Sequence, residues 1–423
     1  MTARRGEKLH VALLSQYYQP EQIGPAIWLK ELASDLVAAG HRVTVLTGFP
    51  NHPNGVVPPP YRHRLFQKEN LDGTEVLRTY VYATSSKGFW RRAANFGSFV
   101  FSSLTGGLVA APRCDVIYAT LPPLPLGVTA FLLARLKSAR VVVNLQDIHP
   151  EAAVAAGIIQ NPTAIGLFEG MERWVYQHSD RLVVISEGFR QNLLSKGVPE
   201  SKIRIIPNWA DPEFVQPGCR DPELRERWGR DKFLAVYSGG LTHNSNLEPV
   251  LGAAGILRDE PFQFVIIGEG VKKQKLEEMA RVQQLKSVSF MPFQPLARYP
   301  KVLCAADINL VTLRRESATA SVPSKIFKMM ASGQPVLAIV PPESEIARLV
   351  EAARCGFVAG TDQPEQVAEM LRYASTHRDE IAQMGRRGRS YLEQNLARKI
   401  ITGRVAQLLS EVVAEQNPRG GNV

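Results

Sequence analysis

Short runs of buried-type apolar residues alternate along this chain with longer segments whose apolar positions recur at helical spacing. Residues 10–14, HVALL, read as a strand, and residues 28–38 read as a helix facing a core. Gly40 stops that helix, and residues 42–47, RVTVLT, form the next strand. Further strands are predicted at 115–119, 140–144 and 181–186, with helical segments between them. Such alternation predicts a parallel, doubly wound sheet. After Ile205, Ile206 and Pro207 the pattern restarts, with strands at 233–237, 263–267, 288–290, 308–313 and 335–340. Two of these strands end in glycine turns, Ser238-Gly239-Gly240 and Gly268-Glu269-Gly270. The fold class is therefore α/β, with two Rossmann-like domains. Two such domains facing each other create a cleft, the usual place for a small-molecule site.

Length agrees with this division, because 423 residues exceed one typical core. The boundaries fall at residues 1–205 for the first domain, 206–385 for the second and 386–423 for a proline-poor helical tail. Arg386, Arg387, Arg389 and Lys399 on that tail read as a solvated basic face. Apolar residues at 45% and charged residues at 21% describe an ordinary soluble globular protein.

Charge narrows the class of partner. Fifty Lys and Arg against forty Asp and Glu leave +10, which favours an anionic ligand. Nucleic acid ranks last among these, since the chain has no RNA-binding aromatic motif, helix-turn-helix pattern or zinc-finger spacing. Acidic lipid headgroups and nucleotide-sugars remain. Cys114, Cys219, Cys304 and Cys355 are scattered singly, which reads as reduced structural thiols in a cytoplasm. The apolar run near the N-terminus is too short for a signal peptide, so the protein is expected to stay inside the cell. No window offers about twenty clean apolar residues, and a spanning helix is not expected. The nearest approach is residues 96–111, preceded by Lys87, Phe89, Trp90, Arg91 and Arg92. This stretch is either an interfacial surface for an anionic membrane or a core helix with a solvated basic start.

Three segments carry candidate chemistry. Residues 321–338, SVPSKIFKMMASGQPVLA, read as a helix start, a short helix, a glycine stop at Gly333 and a buried strand. Pro323 fixes the entrance, Ser321 or Ser324 caps the first amides, and Lys325 adds a mobile cation, which suits a nucleotide diphosphate. An ordinary capped helix is the alternative. In the loop after the first strand, SQYYQPEQIGP, Gly24 stands either where backbone approaches a substrate phosphate or as a simple turn glycine. The GxGxxG fingerprint is missing, which argues against a nicotinamide dehydrogenase. Residues 146–151, QDIHPE, follow a strand directly. Asp147 is a candidate to orient or deprotonate an acceptor hydroxyl, with His149 and Glu151 as neighbours. Alternatively, Asp147 caps the next helix and His149 packs against it. No metal constellation is present.

In this layout the chain resembles the GT-B glycosyltransferases of retaining family 4, and within them the colanic-acid and O-antigen type of L-fucose and N-acetyl-fucosamine transferases. The resemblance rests on QYYQPEQIGPA, GHRVTVLTGFPNHPNG, QDIHPE, VISEGF and IIPNWAD in the first half. YSGGLTHNSNLEPVL, IGEG, the SVPSK helix and CGFV carry it in the second. It implies that the second domain holds a nucleotide-sugar donor on its glycine turns, through Gly239, Gly240, Glu269, Ser324 and Lys325. It also implies that the first domain holds the acceptor and that the terminal helix crosses back to it. Retention of configuration without an assigned protein nucleophile follows from the same likeness. The DxD pair of metal-dependent GT-A enzymes is absent, so transfer is expected to be metal-independent, with no cofactor beyond the co-substrate.

Two departures stand out. Many family members carry paired glutamates where this chain has Ala320 and Lys328, and an Arg and a Lys where it has Gly240 and Ser245. Either Lys325, Arg314 and His243 take over donor binding, or the fold serves as a noncatalytic scaffold. The expected function is transfer of a deoxyhexose-like sugar to a lipid-linked acceptor in bacterial envelope polysaccharide synthesis. The enzyme would be peripheral at the inner face of the plasma membrane. Nucleotide-sugar 2-epimerisation is a further alternative on the same fold.

Overall fold

The computed structural model describes residues 8–415 except 53, 87, 156–158 and 318–321. These divide into two compact units, one running to Pro207 and resuming at Ile401, the other spanning Asn208–Ile400.

The first unit is built on eight strands: β1 (His10–Leu14), β2 (Arg42–Gly48), β3 (Phe66–Leu71), β4 (Thr74–Thr79), β5 (Val116–Leu121), β6 (Arg140–Leu145), β7 (Arg181–Val184) and β8 (Ile203–Ile205). Their order is β3-β4-β2-β1-β5-β6-β7-β8, parallel except where β3 meets β4. The chain works outward from β1 through β2 to β4, then returns to place β5 on the other side of β1. The β1/β5 junction is thus the topological switch point, and its carboxyl edge is where ligands bind in open α/β sheets. The β3–β4 hairpin is not predicted by the apolar pattern, because β3 reads FQKENL and is polar. Its signal is Asp72-Gly73, whose positive φ values of 52° and 80° make the tight turn. The first helix begins at Gly24, with Pro25 in its opening turn, rather than at residue 28.

The second unit carries β9 (Phe233–Ser238), β10 (Phe262–Ile267), β11 (Val288–Met291), β12 (Ile308–Thr312), β13 (Val336–Ile339) and β14 (Gly356–Ala359). All neighbours are parallel in the order β11-β10-β9-β12-β13-β14, so the switch point lies between β9 and β12. Alternate residues of each strand feed opposite cores. Tyr237, Phe264 and Leu310 pack with Leu251, Val367 and Leu371, while Val311 and Val336 pack with Ile326, Met329 and Met330.

Three expectations are corrected here. The tail is two helices, Arg378–Asn395 and Arg398–Ala414, broken where Ala397 bridges Ala210. Arg389 is not solvated. Its guanidinium donates to the carbonyls of Val215, Ala331 and Pro212, tying the helix to two other segments. Cys219 and Cys304 are not lone thiols but a disulfide with Cα atoms 5.6 Å apart, which the wide sequence separation had hidden. Cys114 and Cys355 are free and buried.

Candidate functional site

At the switch point of the second sheet, two loops lock together through backbone. Gly239 N–H donates to the Ile267 carbonyl and Leu241 N–H to that of Glu269, each at 2.9 Å. A Cβ on Gly268 would lie 2.0 Å from the Gly239 oxygen, and one on Gly270 would lie 2.2 Å from that of Leu241. These glycines are therefore required by the loops' own fit, before any ligand is considered. Gly239 makes room for a side chain rather than for backbone. A Cβ there would sit 2.8 Å from Lys325 Nζ, so the lysine side chain runs through the space a side chain at 239 would fill.

Lys325 thus comes to the glycine turn, as its place in the motif suggests. Its ammonium lies 3.8 Å from the centroid of the Tyr237 ring, and burial lowers its pKa to about 7. Ser324 does not cap the helix Lys325–Ala331. It is already helical, at φ −62° and ψ −18°, because the first turn closes on Pro323 and leaves the serine out of the extended conformation a cap needs. Ser321, the other capping candidate, and Ala320 lie outside the described residues.

Arg314 follows β12, across the switch point from Gly239. Its amide donates to the Asn244 carbonyl, its Nη2 lies 3.6 Å from Glu248 Oε1, and its buried Nε has no hydrogen-bond partner. Lys272 and Lys275 reach the same oxygen at 3.0 and 3.6 Å. Burial pushes the Glu248 carboxyl up, but its own amide, Lys272 and Arg314 outweigh this and hold it below the usual range. Three cations on one carboxylate leave a local excess of positive charge. Sequence reasoning missed Lys272. Its Nζ stands 3.2 Å from the Ser245 carbonyl, beside the position where the family resemblance places a lysine, and its signal was the pair of lysines after IGEGV.

The remaining donor-side candidates are peripheral. His243 is exposed, and exposed Glu269 pairs with Lys273 at 2.8 Å. Lys328 lies over the rings of Phe214 and Tyr299, at 5.9 and 5.6 Å.

At the first sheet's carboxyl edge, Asp147 and His149 follow β6. Burial raises the Asp147 carboxyl to about 7 and lowers the His149 imidazole, whose buried Nε2 has no partner. Glu151 stands apart from them chemically. It lies 2.5 Å from Lys196, which also holds buried Glu172 at 2.6 Å, so its charge is spent on an ion pair. Gly24 opens a helix with ordinary φ, and a Cβ there would meet only the Trp28 ring, at 3.7 Å; nothing in the backbone demands glycine.

The basic and apolar segment forms the helix Phe89–Ala110; Lys87 is outside the described residues. Its inner face packs through Phe99 and Ser103, with Gly107 against Leu133 and Ser102 Oγ donating to the Tyr80 carbonyl. Its outer face carries Trp90, Phe101 and Val109 at 81%, 71% and 83% exposure, beside exposed Arg91 and Arg92. Positions 90, 94, 97, 101, 105 and 108 share one side of the helix, a stripe about 27 Å long that is apolar except at Thr105, whose hydroxyl donates to the helix's own carbonyls. By length and composition alone Trp90–Ala110 would suffice to cross a membrane.

Two parallel-sheet α/β units with glycine turns at strand ends match a GT-B architecture. Residues 24–209 match the model of a glycosyl transferase 4-like domain and residues 232–377 that of glycosyl transferases group 1; the chain belongs to this glycosyltransferase family. It is 30% identical over 363 residues to a protein assigned to colanic acid biosynthesis as glycosyl transferase WcaI of Escherichia coli (strain K12), covering 84% of this chain and 88% of that one. With a protein assigned as glycosyltransferase WbjE of Pseudomonas aeruginosa it shares 27% over 329 residues, 76% and 80% of the two chains. Among solved structures, sucrose-phosphate synthase from Thermosynechococcus elongatus superimposes with a TM-score of 0.75 at 15% identity, covering 96% of this chain and all of that one. Anabaena Alr3699/HepE in complex with UDP-glucose gives 0.67 at 15%, covering 95% and 100%. The two likenesses establish the fold.

Proposed function

We propose that the protein is a retaining, metal-independent hexosyltransferase that moves a sugar, deoxyhexose-like by its family resemblance, from a nucleotide diphosphate to a lipid-linked saccharide at the inner face of a bacterial plasma membrane. The observation that carries this reading is the desolvated Lys325 ammonium lying across Gly239, beside the Arg314 and Lys272 cluster. A leaving diphosphate develops negative charge, and cations gathered at the switch point stabilise it in the role a metal ion plays elsewhere. The UDP-glucose named with Alr3699/HepE supports a nucleotide-sugar as donor. On the acceptor side, the Asp147 carboxyl titrates near neutrality, where a general base is most effective. The bond from the anomeric carbon to the diphosphate oxygen breaks as the acceptor oxygen bonds to that carbon, and the hydroxyl proton passes to Asp147. No protein nucleophile is assigned.

The outward stripe of the helix Phe89–Ala110 supports the membrane as partner. Its inner face is committed to its own unit by packing and side-chain hydrogen bonds, so the helix lies on a bilayer rather than through it. Arg91 and Arg92 select anionic headgroups. The decisive experiment incubates the protein with bacterial membranes and uridine, guanosine and thymidine diphosphate sugars, and measures nucleotide release and sugar incorporation into lipid. Incorporation from one donor class is expected. No release from any donor would leave only the scaffold reading.

A further inference from the structure

A second polar cluster occupies the carboxyl edge of the first sheet, on the other side of the switch point from Asp147. Glu21 and Gln16, in the loop after β1, are only 6% and 1% exposed. Glu21 Oε1 accepts the amides of Asn51 and His52 at 3.0 and 2.9 Å, while its buried Oε2 has no partner. The orientation of Gln16 is fixed by a chain of bonds. Asn95 Nδ2 donates to the Tyr82 carbonyl, which can only accept, so Asn95 Oδ1 faces Gln16 Nε2 at 2.7 Å. Gln16 Oε1 is left as a second buried acceptor with no donor. Fully buried Arg78 spends Nε on Glu69 and Nη2 on the carbonyl of Gln19, in the same loop; its Nη1 is unpartnered. At the rim, Tyr17 and exposed His52 meet edge to face at 6.3 Å.

A buried polar atom left unpaired costs about 1–3 kcal/mol, and a clip between two loops would need only Glu21 Oε1. Two buried acceptors in the loop after β1 and one buried donor reaching that loop from β4 are left unpaired, with an aromatic pair beside the loop, and together they match a neutral polyhydroxylated ligand. The Glu21 carboxylate disfavours a phosphate there. We propose that this cluster is the subsite that grips the acceptor sugar: Glu21 Oε2 and Gln16 Oε1 receive protons from its hydroxyls, and Arg78 donates to a hydroxyl oxygen. The assignment rests on the transferase reading above and adds to it the residues that choose the acceptor.

The test uses the full chain and a panel of methyl hexopyranosides, including 6-deoxy sugars, read by saturation-transfer NMR, with UDP, GDP and dTDP binding measured in parallel. Glu21→Gln keeps the oxygen that takes the two amides but turns the other acceptor into a donor, and Gln16→Met removes the second acceptor without shortening the chain. Both variants are expected to weaken glycoside binding about tenfold or more with nucleotide binding unchanged; Gln16→Met also takes the donor from buried Asn95 Oδ1 and should lower the melting temperature, so the native fold of each variant is checked by circular dichroism. If Glu21→Gln fails to fold, Gln16→Met alone decides. Wild type that binds no glycoside, or variants that bind as wild type does, would overturn the subsite. Glycoside binding lost in the variants of a protein that binds none of the three nucleotides would keep the subsite and remove the transferase reading.

Discussion

The two sheets share a central parallel strand order and differ in what fills their switch points. At the second, glycine backbone packs on glycine backbone and the chemistry is left to cations, Lys325, Arg314 and Lys272. At the first, side chains do the work: Asp147 and His149 on one side, Gln16, Glu21 and Asn95 on the other. In the proposed reading, one edge receives spread negative charge, and the other exchanges hydrogen bonds and a proton with neutral hydroxyls. A shared fold thus offers a position for a ligand, while the residues at that position choose its chemistry.

The comparison breaks most visibly at Asp147. Asp147→Asn is expected to lower transfer about a hundredfold or more while leaving nucleotide affinity near its original value, since the base is lost but the donor edge is intact. In the wild type, transfer should fall as pH drops below about 7, because the raised carboxyl then takes up a proton. A folded variant with full activity would return Asp147 to a structural role. Next in size, Lys325→Ala should weaken nucleotide-diphosphate binding by about 1.5–3 kcal/mol, measured calorimetrically. Unchanged affinity would move the donor site elsewhere.

Outside both edges, Arg91→Glu combined with Arg92→Glu should reduce sedimentation with anionic vesicles, at about 1 kcal/mol per residue, and neutral vesicles should bind less from the start. Equal sedimentation of the two proteins would leave the stripe without a lipid partner. The smallest effect is a proton. Lys325 is largely neutral above pH 7 in the free protein, and a bound diphosphate favours its charged form, so binding at pH 8 should take up as much as about one proton. Affinity should then decline as pH rises from 7 to 9, and calorimetry in buffers of different ionisation enthalpy reads the uptake. A pH-independent affinity would mean that Lys325 stays charged or uninvolved.

Much of this was legible from the order of residues. β1, β2, β5, β6, β7 and β9 to β13 appear within two residues of their expected bounds. Polar β3 and the short edge strands β8 and β14 were not legible, because an edge strand needs no continuous apolar run, and buried β4 was missed because Glu75 and Arg78 interrupt its apolar residues. Lys325 and Asp147 announced themselves by standing directly beside a strand or helix end. Lys272, Gln16 and Glu21 did not, since their meaning depends on contacts between loops far apart in sequence. Arg389 and the pairing of Cys219 with Cys304 were invisible for the same reason.

The interlock of the loops after β9 and β10 bears on how such a protein can diverge. With Gly268 and Gly270 pressed onto the carbonyls of Gly239 and Leu241, neither loop can gain or lose a residue without prising the other away. A lineage can therefore retune that edge only by exchanging side chains around a frozen backbone. The loop carrying Gln16 and Glu21 is tied by backbone at Ser15 and Gln16, but from Glu21 to the loop after β2 it is held by a side chain, and that part can be rebuilt piece by piece. If the second edge holds the donor and the first the acceptor, as proposed, descendants of one ancestor should keep the same kind of activated sugar and change what they attach it to.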